Sequence, residues 1–418
     1  MIHYENFELS NGLHVFVHED SNTQIAVVNI LYNVGSRDES ESKTGFAHLF
    51  EHLMFGGSAN IASYDEPLQK VGGENNAFTT PDITNYYLTV PANNLETGFW
   101  LESDRMISLS FDAAVLEVQR NVVIEEFKQR YLNQPYGDAW LKLRPLAYKT
   151  HTYKWATIGK DISHIQHATM EDVKDFFYRF YTPQNAILVV AGNVKTGEVE
   201  KLAKKWFGPI PSGEKYMRKL QPEPPQDGKR TLMHEAVVPL DSIFMAYHMC
   251  DRLDDAYYTS DLVSDILGSG KSSRLYDRLV KSEKLFSSVE AYITGSFDPG
   301  LLVIHGNLNP GFSLEDGEEA IQNIVSEFLS KGTQNEELEK VKNQAESALI
   351  FSEVELLNKA INLAVGAVMG NPDLINEEPE KIRSISEDRL LHTAKKILQP
   401  SNCSVLYYKS KSAKTHEN

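Results

Sequence analysis

Cysteine is almost missing from these 418 residues: Cys250 and Cys403 are the two present, and they lie far apart. A disulfide framework and a cysteine-rich metal cluster are both excluded, and a reducing compartment is compatible with the count. Long apolar runs are missing too. Nothing approaches the roughly 18 consecutive apolar residues that a membrane helix needs. Positive charge is scarce, with 41 Lys and Arg against 58 Asp and Glu and a formal charge of -17. That balance argues against nucleic acid and anionic membrane as partners and suits a solvated acidic surface. The opening Met1-Ile2-His3-Tyr4-Glu5-Asn6-Phe7 carries no basic segment followed by an apolar one. The expected location is therefore the cytoplasm, or the periplasm if a leader has been trimmed.

What remains is ordinary globular composition, 41% apolar and 24% charged, at a length that suggests two or three domains with sizeable cores. Within it, Gly45 to Phe55 stands out. Phe46, Leu49, Phe50, Leu53 and Met54 recur at helical spacing. His48 and His52 are four residues apart on that helix, about 40° around its axis, so both imidazoles leave one face. Two such nitrogens can share one ion. Hydrolytic zinc sites take three protein ligands and keep one position for water. Glu51, beside the second histidine, is placed to act on that water as a general base. The order His-x-x-Glu-His inverts the commoner His-Glu-x-x-His and keeps the same parts.

A third ligand has to come from elsewhere. A second amphipathic helix, Leu116 to Lys128, carries Glu125 and Glu126 side by side. The two are about 100° apart around the axis, so one at most faces the first helix squarely. Spacing alone does not choose between them.

Strands and helices alternate in runs along the rest of the chain. Phe7 to His18 is a hairpin about Asn11-Gly12, and Gln24 to Val34 is a strand leading to the histidine helix. Asn75 to Thr80 and Thr84 to Val90 are paired strands. Helices are expected over 93–106, 113–132, 172–181 and 197–206, with a core strand at 186–191. This reads as α+β with a largely antiparallel sheet. Residues 209–228 are rich in proline and poor in apolar side chains, as in a stiff linker. Beyond it, Glu387-Asp388, a helix, Pro400-Ser401-Asn402 and the strand from Cys403 echo Glu171-Asp172, a helix, Pro183-Gln184-Asn185 and the strand from Ala186. The expected organisation is a metal-binding domain at 1–208, the linker at 209–228, and a homologous domain without metal at 229–418. Other histidines, among them His18, His151, His164, His234, His248 and His305, have no partner at ligand spacing and are read as structural.

The sequence resembles the inverzincin metallopeptidases, the family of pitrilysin, insulin-degrading enzyme and the mitochondrial processing peptidase, and in length it is like the short two-domain bacterial members. The resemblance rests on His48-x-x-Glu51-His52, Val34-Gly35-Ser36-Arg37-Asp38-Glu39, Asn76-Ala77-Phe78-Thr79, Thr84-Asn85-Tyr86-Tyr87, Arg120 to Glu126, Ile158-Gly159 and Ala186 to Asn193. It implies a zinc metallopeptidase with His48, His52 and Glu126 as metal ligands and Glu51 as catalytic base. It also implies an extended peptide substrate held along an edge strand at Asn76, Ala77, Phe78 and Thr79, although Phe78 reads equally well as a core aromatic.

Three departures accompany the likeness. Gln119 stands where the family has a glutamate seven residues before the distal ligand. Leu267-Gly268-Ser269-Gly270-Lys271-Ser272 lacks the first glycine of a phosphate loop, with Asp265 in its place, and matches the family's turn into a helix. Val280 and Ser287 occupy positions where self-sufficient members carry Arg and Tyr. The resemblance then implies a second subunit that supplies the pair, as a heterodimer or homodimer. The alternatives are a lone chain of reduced activity and a non-catalytic assembly subunit.

Overall fold

In the computed structural model, which describes residues 1–411, the strands fall into two sheets. The first contains β1 (Glu5–Glu8), β2 (His14–Glu19), β3 (Ile25–Tyr32), β4 (Glu74–Thr79), β5 (Thr84–Pro91) and β6 (Ala186–Gly192), in the order β1-β2-β6-β3-β5-β4. The second contains β7 (Arg230–Ala236), β8 (Ser242–His248), β9 (Phe286–Ile293), β10 (Leu301–Leu308) and β11 (Cys403–Ser410), in the order β7-β11-β8-β10-β9. Each sheet is antiparallel except for one parallel pair, β2 with β6 and β7 with β11. Set β1 aside, and both sheets run first, fifth, second, fourth, third with the parallel pair in the same place. This is the α+β duplication that the echo between Ala186 and Cys403 suggests.

The duplication extends to side-chain detail. Thr169 caps the helix Met170–Phe180 by accepting the Asp172 N–H, and Ser386 caps Glu387–Ile397 by accepting the Arg389 N–H. Such caps answer otherwise orphaned amide donors of a first turn. At the far ends, Asn185 Nδ2 donates to Phe180 O and Asn402 Nδ2 to Ile397 O, each at 2.9 Å. In both copies a Pro-x-Asn turn hooks the helix end to the strand that follows.

The chain divides into two units, and the linker is one of several places where it passes from one to the other. One comprises residues 1–127, 155–220 and 350–378; the other comprises 128–154, 221–349 and 379–411 of the described residues. The expected 1–208 and 229–418 halves have thus exchanged a segment each. Packing explains the exchange. The helix Leu356–Val368 buries Leu356, Ala360, Leu363 and Ala364 on β3 and β6 of the first sheet. The helix Ala139–Ala147 buries Ala139, Leu143 and Ala147 on β7, β8 and β11 of the second. A buried Leu or Val side chain contributes about 1.5–3 kcal/mol wherever its stripe finds an apolar face. Sequence period reveals the stripe and not the sheet that it covers.

Residues 211–227 have no regular structure, as the linker composition suggests. They are tied down nonetheless. Tyr216 and Arg218 bond Asp38 in the first unit, while Glu223 accepts the Lys149, Thr150 and His151 N–H groups in the second. The helix expected over 113–132 runs from Ala113 to Phe127 and gives way to a wider π turn, Lys128–Leu132. No helix among the described residues is long and apolar enough to cross a membrane.

Candidate metal centre

The site is built on the segment that leaves β3. Gly35 passes so close to the β4–β5 turn that a Cβ there would stand 2.4 Å from Pro81 O, which no side chain tolerates. Ser36 and Arg37 donate their N–H groups to Thr80 O and Pro81 O at 3.3 and 2.9 Å. The Arg37 guanidinium lies 2.9 Å from Asp82, with both side chains 4% exposed. Removing one partner of a buried ion pair costs about 3–5 kcal/mol, because the other charge loses its counterion in a low dielectric. Arg37→Met is therefore expected to lower unfolding free energy by about that amount in denaturant titration. The double variant Arg37→Met with Asp82→Leu is expected to recover most of the loss, since a matched apolar pair leaves no stranded charge.

The same segment seats the histidine helix, Phe46–Leu53. Its cap position is Gly45, at φ 89° and with no side chain to offer. Glu39 supplies the acceptor across the loop, taking the Gly45 N–H at 2.9 Å and the Ala47 N–H at 2.8 Å. Burial pushes the Glu39 carboxyl well above its usual range, against the lowering effect of those N–H bonds. Phe46, Leu49, Phe50 and Leu53 are buried beneath the helix, with Phe50 stacked on Phe176 and Tyr181. Further below, fully buried Arg105 is paired with Glu102 and lies over the rings of Phe55, Tyr64 and Tyr86.

With the apolar stripe fixed downward, His48 and His52 share the opposite face, their ring centroids 4.9 Å apart. The helix Ala113–Phe127, anchored by Leu116, Val123, Ile124 and Phe127, brings an acid to them. Glu126 Oε2 lies 3.6 Å from His48 Nε2 and 3.5 Å from His52 Nε2. The donor atoms of the three all fall within 4.8 Å of one another, and no other cluster of three or more potential metal ligands occurs among the described residues. Glu125, next door, is exposed, so of the adjacent acids Glu126 is the one that meets the histidines.

These separations fit a metal better than a hydrogen bond. An N–H···O bond places its atoms about 2.7–3.2 Å apart. Donors about 2.0–2.2 Å from one zinc, tetrahedrally arranged, stand roughly 3.3–3.6 Å from each other. Two neutral imidazoles and a carboxylate are also a donor set that zinc prefers. Gln119 is half-buried, two turns back from Glu126 on the same stripe.

Glu51 lies between the two histidines on the helix Phe46–Leu53, and its Oε2 accepts the Thr79 hydroxyl at 2.5 Å. Thr79 ends β4, the edge strand of the first sheet, which pairs on one side with β5. Asn76 is exposed there, while Ala77, Phe78 and Thr79 are half-buried, so Phe78 is not a core aromatic. The Ala77 N–H is taken by Asn76 Oδ1 at 2.8 Å rather than by β5, so it points along the outer edge of the sheet.

In the second unit, Val280 packs half-buried against the core and Ser287 donates its hydroxyl to Asn307 O. The neighbouring arginines are engaged with acids: Arg274 with Glu337, and Arg278 with Glu283 and Glu327. Gly268 is there for close packing, since a Cβ on it would meet Ala291 N at 2.0 Å. His248 and His305 hydrogen-bond Ala147 O and Glu290, while His151 and His234 lie 3.3 and 3.4 Å from Asp298 and Asp138, as structural histidines do.

Sequence reasoning missed Glu39 as the helix cap, Arg105 as the buried support and the bond from Thr79 to Glu51. The first two had weak signals: an acid shortly before an uncapped helix, and an arginine three residues from a glutamate on one helical face.

Comparison with known proteins follows the same outline. Residues 14–152 match the family model described as Insulinase (Peptidase family M16), and residues 167–345 match that described as Peptidase M16 inactive domain. A zinc protease of Helicobacter pylori, PqqE, is 32% identical over 349 residues, covering 81% of this chain and 78% of the relative. A mitochondrial-processing peptidase subunit beta of Saccharomyces cerevisiae is 24% identical, covering 82% and 78%. The crystal structure of a protease from Helicobacter pylori superposes with a TM-score of 0.92 at 28% identity, covering 98% of this chain and all of that one.

Proposed function

The chain belongs to the insulinase family of peptidases, family M16, and from that premise we propose that it is a zinc metalloendopeptidase, or the zinc-bearing subunit of one, acting on peptides or unfolded segments. The observation that carries this reading is the meeting of His48, His52 and Glu126 donors at separations suited to one ion. A bound zinc supplies Lewis acidity, acidifying water and polarising the scissile carbonyl. His48, His52 and Glu126 hold it. Glu51 takes a proton from the attacking water and passes it to the leaving amine as the C–N bond breaks.

The peptide lies along β4 at Asn76, Ala77, Phe78 and Thr79, adding as a further strand through main-chain hydrogen bonds. Binding of that kind reads little sequence. To pair with the Ala77 N–H, it displaces the Asn76 amide oxygen.

Val280 and Ser287, both committed to local contacts in the second unit, support a division of labour in which a homologous second subunit contributes Arg and Tyr to substrate binding. A relative named as a subunit supports the same reading. The test is turnover of a mixed peptide substrate by the purified chain, alone and with a homologous chain carrying Arg and Tyr at those positions. Slow turnover alone is expected, rising at least tenfold with the second chain, abolished by a chelator and restored by zinc. Full turnover alone overturns the partner, and no turnover under any condition points to an assembly subunit.

A further inference from the structure

Resting on the reading of Glu51 as general base, we propose that Thr79 is a positioning residue that fixes this base, so that the strand which holds the peptide also holds the catalytic carboxylate. The Thr79 hydroxyl donates to Glu51 Oε2 at 2.5 Å across 28 residues of sequence. That is the distance of a charge-assisted O–H···O⁻ bond. A base must stay within hydrogen-bond reach of the proton it takes, and a donor fixed on a separate strand limits how far a glutamate carboxylate can turn. The bond gives the two carboxylate oxygens different tasks. Oε2 accepts the Thr79 hydroxyl throughout. Oε1 accepts the proton as a water O–H bond breaks and a bond from that oxygen to the carbonyl carbon forms; the proton then goes to the amine nitrogen as the C–N bond breaks.

Thr79 suits the task. It is β-branched and stiff at χ1, so its hydroxyl follows its backbone. That backbone is set by pairing with Thr84 in β5 and by the turn bond from Thr80 N–H to Ile83 O at 2.9 Å. The Pro81-Asp82 turn that follows is clamped by Gly35, Ser36 and Arg37. A peptide added to the outer edge at Ala77 stiffens the strand two residues upstream of the hydroxyl.

The experiment compares Thr79→Val, which keeps the shape and loses the hydroxyl, with Thr79→Ser, which keeps the hydroxyl. Both are made in the full chain, assayed on a fluorogenic peptide with whatever partner the unaltered chain requires, and analysed for bound zinc. Thr79→Val is expected to lower kcat about 10–100-fold, the usual cost of losing an orienting partner at a metal site. KM should stay within about twofold and zinc content should not change, because the donors are untouched. Thr79→Ser is expected to restore most of kcat. In a Glu51→Gln background, Thr79→Val should have no further effect. Should Thr79→Val fail to fold, Thr79→Ala against Thr79→Ser makes the same comparison. A loss that falls on KM alone, or a kcat that survives removal of the hydroxyl, overturns the proposal. An unaltered chain with neither zinc nor turnover overturns the reading of function on which it rests.

Discussion

Glu51→Gln is expected to lower peptide hydrolysis by about 10²–10⁴-fold, the usual contribution of a positioned general base, while zinc stays bound at its original stoichiometry. The amide is isosteric and can still accept the Thr79 hydroxyl through its oxygen. It has no basic oxygen at pH 7, so the water proton has nowhere to go. Because Glu51 lies outside the group of three donors, the loss should appear in kcat with little change in KM. A variant losing metal and activity together would place Glu51 among the ligands instead. One that loses neither would remove it from the chemistry.

His48→Ala is expected to act on the other half of the site. The ring stands 3.6 Å from the Glu126 carboxylate and shares it with His52. Without it, two donors remain on separate helices. Loss of an outer-shell partner already costs roughly 10–100-fold in metal affinity, so loss of a direct donor should exceed that. Bound zinc should fall from near one equivalent to near none, with turnover at background. The fold should survive, since the buried face of this helix is made by Phe46, Leu49, Phe50 and Leu53. The check is metal analysis after dialysis, together with circular dichroism and a melting curve. Zinc retained at full stoichiometry in this variant would show that the ion sits elsewhere.

How far the sequence leads depends on the range of the interaction. His48, Glu51 and His52 lie within one turn and a half of helix, and a period of 3.6 residues displays them at once. Glu126 is 74 residues beyond His52 in the chain. Helical geometry left it level with Glu125, and the family register singled it out; in the fold Glu125 is exposed and Glu126 faces the histidines. The duplication was legible as an echo of Pro-x-Asn turns, because those turns do the same mechanical work in both copies.

The exchange of the 139–147 and 356–368 helices was not legible. An apolar stripe carries no address, and either sheet face satisfies it equally in the sequence. The capping role of Glu39 and the bond from Thr79 to Glu51 escaped for a related reason. Glu39 acts through two hydrogen bonds across a loop, from Gly45 and Ala47, and Thr79 through one to Glu51. Isolated contacts of this kind have no period.

The central claim is a zinc ion held by two imidazoles and one distant carboxylate, and anomalous scattering from crystals of the full chain grown with equimolar zinc tests it most directly. Data on either side of the zinc absorption edge should give one strong peak about 2.0–2.2 Å from His48 Nε2, His52 Nε2 and a Glu126 oxygen. A peak held by other residues, or no peak between the histidines in crystals whose protein has been shown to carry zinc, would contradict it.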